Sequence, residues 1–97
     1  MNTFSKDHFL AQKPENDNLS PELYALWLDG HGEWEKAHDQ VDQLPGKSAA
    51  RVHAYLHRKE GDQWNADYWY KRAGEIRPNL SLEQEWENLV IRFLEIS

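Results

Sequence analysis

The chain has 97 residues, a length for one domain. Its 17 acidic residues outnumber 11 basic ones, and the net charge of −6 disfavours a nucleic-acid backbone as partner. There is no cysteine, which excludes disulfides, thiolate metal ligation and thiol catalysis.

Residues 1–19 read as a flexible tail, with docking through Phe4, Phe9 and Leu10 as the alternative. Its opening, MNTFSKDHFL, lacks the apolar run of a secretory leader. No stretch of the chain is apolar for long enough to cross a membrane. Cytoplasmic localisation is the expectation. The run Pro14-Glu15-Asn16-Asp17-Asn18 breaks any helix begun there.

From Ser20 onward, residues 20–97 read as one helical domain. Ser20-Pro21-Glu22 is a helix start: a capping hydroxyl, a proline at the first helical position, then an acid. That helix is expected to reach Asp29, where Gly30-His31-Gly32 stops it. A second runs from Glu33 to about Leu44 and ends at Pro45-Gly46. Ser48 is the expected cap of a third, closed by Gly61. Asp62 caps a fourth that extends to about Arg77, before Pro78. Ser81 and Gln84 form a capping box for a fifth, reaching Ile96. No alternating β-pattern occurs, so the expected class is all-α with antiparallel neighbours. In the last helix Leu82, Trp86, Leu89, Val90, Phe93 and Leu94 fall at helical spacing, and Ile91 and Ile96 widen the stripe. A homodimer contact through Trp86, Val90 and Phe93 is one reading of that breadth.

The chain matches itself when shifted by 29 residues. Ala25 falls on Ala54, Gly32 on Gly61, Glu33 on Asp62, Ala37 on Ala66, Val41 on Tyr70 and Leu44 on Ala73. Repetition of this kind signals stacked helical pairs. The second copy resembles the tetratricopeptide repeat: Gly61-Asp62 matches its turn, and Ala66, Tyr70, Ala73 and Pro78 match its small, aromatic, small and proline positions. Trp69-Tyr70-Lys71-Arg72-Ala73 is also similar to the Sel1-like branch of that superfamily. The resemblance covers residues 50–79 well and 21–46 weakly.

It implies two antiparallel hairpins with a C-terminal capping helix, acting as a protein or peptide interaction module without catalysis, cofactor or metal. It also implies a concave groove lined by the first helix of each hairpin. The groove residues are then Leu26, with Glu22 and Asp29, from the first copy, and Arg51, Tyr55, Arg58 and Lys59 from the second. Arg51 and Arg58 lie two turns apart around Tyr55 and suit a carboxylate or an acidic segment. Replacing both by alanine is expected to weaken an acidic partner and leave helix content unchanged.

His53 and His57 lie at i and i+4, on one helical face where they can share a metal ion. His38 with Asp39 or Asp42 would complete such a site. The stretch lacks the glutamate that follows the first histidine in zinc proteases. The repeat register places both histidines at packing positions, with Tyr70, Tyr24 or Asp42 as hydrogen-bond partners. A metal- or ligand-binding enzyme centred on them is the alternative function. Trp64, Tyr68, Trp69 and Tyr70 share one helix but not one face. Tyr70 reads as core, and Trp64, Tyr68 and Trp27 as interface or packing residues. The remaining acids read as solvated.

Overall fold

The computed structural model describes residues 4–14 and 19–96, and all its described elements are helices. They are α1 (Lys6–Ala11), α2 (Pro21–Gly30), α3 (Trp34–Asp42), α4 (Lys47–Glu60), α5 (Gln63–Arg72) and α6 (Leu82–Ile96). Residues 15–18 of the expected breaker, and Ser97, lie outside the described residues. No described helix is long and apolar enough to cross a membrane.

The start signals act largely as their chemistry requires. The Ser20 hydroxyl accepts from the Leu23 amide at 3.2 Å, and Asp62 accepts from the Asn65 amide at 3.2 Å. Ser81 and Gln84 exchange both bonds of a capping box: the Ser81 amide donates to Gln84 Oε1 at 3.0 Å, and the Gln84 amide donates to Ser81 Oγ at 3.1 Å. Ser48 is not a cap. Helix α4 begins one residue before it, after Gly46 at φ +100°, with no side-chain cap. Nor does α5 reach Arg77. Gly74 takes φ +77°, and the Glu75 amide turns back to the Tyr70 carbonyl at 2.9 Å, so the helix closes well before Pro78.

Helices α2 and α3 pack on each other, as do α4 and α5, and α3 joins the two pairs by packing on α4. The 29-residue repetition is present in the backbone itself. In the first pair the Glu33 amide donates to the Leu28 carbonyl at 2.9 Å; in the second the Asp62 amide donates to the His57 carbonyl at 3.0 Å. Gly32 and Gly61 both take the left-handed conformation at these turns. Ala25, Ala54, Ala37 and Ala66 are all fully buried between the packed helices. Leucine at Ala54 or Ala66 is expected to cost about 1–3 kcal/mol by overpacking. A urea midpoint unchanged by either substitution would show that the helices have room to separate.

Helix α6 lies across α2 and α4, the first helix of each pair. Trp86, Leu89, Val90 and Phe93 all enter the core with Leu23, Leu26, Val52 and Leu56. The Trp86 indole donates to the Leu26 carbonyl at 2.9 Å. The dimer reading must be corrected here: Trp86, Val90 and Phe93 are buried inside the chain and cannot form an exposed contact face. The segment expected as a flexible tail carries α1, capped by Ser5, and Phe9 is 2% exposed in the core. Phe4 and Phe9 both meet the Trp86 ring edge-on.

Candidate functional site

The expected groove is filled by the chain's own α6. Leu26 is fully buried in the core. Arg51, also buried, donates from Nε to Glu75 Oε1 at 2.9 Å and from a terminal nitrogen to Glu85 Oε2 at 2.7 Å. Arg58 donates to Glu85 Oε1 at 2.6 Å and to the Leu80 carbonyl. Tyr70 adds its hydroxyl to Glu85 Oε2. The two forked cations do grip a carboxylate, and it belongs to residue 85 of the same chain. Substituting both arginines therefore strips a buried acid of its partners, so unchanged helix content is no longer expected.

Tyr55 and Lys59 are engaged as well. The Tyr55 hydroxyl donates to Asp29 Oδ2 at 2.7 Å, and Lys59 Nζ donates to Asp29 Oδ1 at 2.8 Å. Burial, then the Asp29 charge and hydrogen bond, push the Tyr55 hydroxyl far above its usual pKa. What remains open on this face is a cleft of about 170 Å³ bordered by Lys6, Tyr55, Lys59 and Glu83. Asp29 and Glu85 are thus structural acids and not solvated ones. A signal for Glu85 was available: it shares an i, i+4, i+8 row with Leu89 and Phe93.

The histidines form the second notable constellation. His38 on α3 and His53 on α4 bring their Nε2 atoms to 2.9 Å, one ring donating and the other accepting. The His57 ring stacks on His53 at 4.8 Å between centroids, and its Nδ1 lies 2.6 Å from Glu60 Oε2. One nitrogen from each of His38, His53 and His57 falls within 4.8 Å of the others. Asp42 Oδ1 stands 3.9 Å from the Nε2 atoms of both His38 and His53. Trp34 stacks on His38 at 5.1 Å and Trp69 on His53 at 4.0 Å. The Trp34 indole is itself fixed, donating to the Leu56 carbonyl at 2.8 Å. His53 is 2% exposed and its Nδ1 is buried without a hydrogen-bond partner. Burial, reinforced by His38 and His57 and opposed by Asp42, lowers its pKa from 6.5 to about 4. Neither Tyr24 nor Tyr70 serves either histidine; His38 and Glu60 do.

A third feature lies on the outside of α5. Trp64 is 77% exposed and Tyr68 is 45% exposed, their rings stacked 10° from parallel. The Arg72 guanidinium continues the stripe, donating to the Tyr68 hydroxyl at 3.1 Å and standing over the Trp69 ring. Tyr68 meets Trp69 edge-on, so this ladder connects to the imidazoles through the Trp69 ring. Trp27 is a packing residue, its indole donating to the Gln12 carbonyl at 3.1 Å.

No protein-family model matches the chain, no curated protein matches it, and no solved structure matches it.

Proposed function

We propose that the protein is a small tetratricopeptide-like interaction module that binds a partner protein or peptide without catalysis, through the outer face of α5. The observation that carries this reading is the Trp64–Tyr68–Arg72 ladder, aligned along one helix and open to solvent. Large aromatic rings and arginine dominate the energetics of protein interfaces. A tryptophan held in a stack loses little further freedom on binding, so its contact area converts efficiently into affinity. Ile76, 86% exposed just past the helix, adds apolar area, and the exposed Lys71 and Arg72 place positive charge at the end of α5, while Arg77 is paired with Asp67. An acidic segment carrying one or two large apolar side chains is the complementary partner. The reading keeps the expected partner chemistry but moves the contact from the filled concave face to the open outer one.

Selection from a displayed peptide library tests it. The wild-type chain is expected to enrich acidic-apolar sequences, and Trp64→Ala with Tyr68→Ala is expected to weaken those peptides at least tenfold while thermal stability stays within a few degrees. Selected peptides that bind the double variant equally well would remove the reading.

A further inference from the structure

We infer that His38, His53 and His57, with Asp42, form a binding site for a divalent zinc-class metal ion, independent of the interaction surface on α5. The four side chains come as two i, i+4 pairs on facing helices, His38 with Asp42 on α3 and His53 with His57 on α4. Each pair lies on one face of its helix. Packing α3 against α4 therefore brings the three imidazoles within 4.8 Å of one another, with Asp42 beside His38 and His53.

The spacing suits a small tetrahedral ion. Donors about 2.05 Å from a zinc ion lie about 3.4 Å from one another. The His38–His53 nitrogens stand 2.9 Å apart and the Asp42 oxygen 3.9 Å from each, so the set straddles that value. The His57 nitrogen lies within 4.8 Å of the other two imidazoles and would move inward to complete the set. The donor chemistry narrows the ion further. Imidazoles and one carboxylate favour zinc, cobalt, nickel or copper(II) over calcium or magnesium, and the absence of thiolates disfavours copper(I).

Two observations distinguish this cluster from ordinary packing. The first is the burial of polar imidazoles against one another. His38 and His53 meet through their Nε2 atoms, and the Nδ1 of His53, across the ring from that contact, is buried without a partner. Apolar residues would fill the same space without the cost of burying these groups. The second is the fixed orientation of every ring. Trp34 and Trp69 stack on His38 and His53, and Glu60 holds His57 from its outer side. A carboxylate on the far nitrogen of a ligating histidine is the usual way such a ring is oriented and made more basic. Side chains held before the ion arrives bind it with less loss of freedom.

A cleft of about 370 Å³ between the α3–α4 connection and α5 is lined by Asp42 and Trp69 but by none of the three histidines. Glu60 is engaged with His57, and no glutamate follows His53, so the geometry supports holding an ion and supplies no placed base for hydrolysis.

His57 also belongs to a second grouping, with Glu60 and Asp62, whose donors approach as closely. Asp62 is already occupied in capping α5, and this grouping has no orphaned atom. The two sites separate by experiment. Untagged full-length protein, stripped with chelator, would be titrated with zinc and with cobalt(II). One equivalent is expected to bind, and cobalt is expected to show the intense visible absorption of a four-coordinate site. His38→Ala and His53→Ala should each weaken binding at least tenfold, and Asp42→Asn by less. Zinc should also shift the ring-nitrogen resonances of His38, His53 and His57 together in the wild-type chain, a readout that needs no variant to fold. Absence of stoichiometric binding would overturn the inference, as would binding that ignores His38→Ala and His53→Ala while depending on Asp62.

Discussion

Glu85→Ala is expected to destabilise the protein by about 3–5 kcal/mol, the range for removing one member of a buried ionic group. The Glu85 side chain is 1% exposed, and its oxygens accept from Arg51, Arg58 and Tyr70. Deletion leaves the Arg51 guanidinium, itself 5% exposed, with only Glu75 as counterion. Burial works against the charged form of Glu75, but hydrogen bonds from Arg92 and Arg51 outweigh it and hold that carboxyl below its usual pKa. Glu75 already serves Arg92 and cannot replace Glu85 at the centre of the clamp. The Tyr70 hydroxyl also loses its acceptor. Glu85→Gln retains the shape and an acceptor oxygen, so it should fall between wild type and alanine. Urea unfolding followed by circular dichroism reads all three. A loss below about 1 kcal/mol for alanine, the range of an exposed ion pair, would mean that water reaches the clamp.

The second large effect is a dependence on pH in metal-free protein. An unfolded chain protonates His53 as pH falls through 6.5, whereas the folded protein resists until about pH 4. The neutral buried ring therefore contributes its full share above pH 6.5, and that share is lost as pH falls towards 4. The gap corresponds to about 3 kcal/mol at most. The charged and titratable groups around the ring are His38 and Asp42 from α3 and His57 from its own helix; α5 presents the uncharged Trp69. Glu75 titrates in a lower window, below its ordinary 4.5, so its loss is separable. Unfolding free energies between pH 7 and 4, with chelator present, should fall through this interval. His53→Leu should flatten the curve there. A wild-type profile level from pH 6.5 to 5 would contradict a neutral buried His53.

Local chemistry made much of this architecture readable. Capping by Ser20, Asp62 and Ser81 with Gln84 involves residues three apart, and the glycine at 61 needs only its own conformational freedom. The 29-residue register likewise reports where helices must approach, because only small side chains fit there. What escaped depends on how the helices meet. The position of α6 across α2 and α4 turned Arg51, Tyr55 and Arg58 from groove residues into interior ones. Without that placement, an arginine pair on a helix face reads as an invitation to an outside acid. His38 likewise acquires meaning only once α3 lies on α4; in sequence it stands 15 residues from His53. The order of Phe9 is not legible locally, because a short segment before a proline has little helix-forming strength of its own and its order derives from packing on Trp86.

The long span closed by α6 orders the events of folding. Each helix pair is stitched by contacts between near neighbours in sequence, such as the turn bonds at Glu33 and Asp62. The Trp86–Leu26 bond instead joins residues 60 apart, and Arg51–Glu85 joins residues 34 apart. Closing loops of that size costs chain entropy that near-neighbour contacts do not incur. The helix pairs are accordingly expected to assemble early, with α6 docking later over the Arg51 guanidinium. Interactions made after the rate-limiting barrier slow unfolding more than they speed folding. On that order of events, Glu85→Ala is expected to speed unfolding more than it slows folding, which stopped-flow kinetics would read.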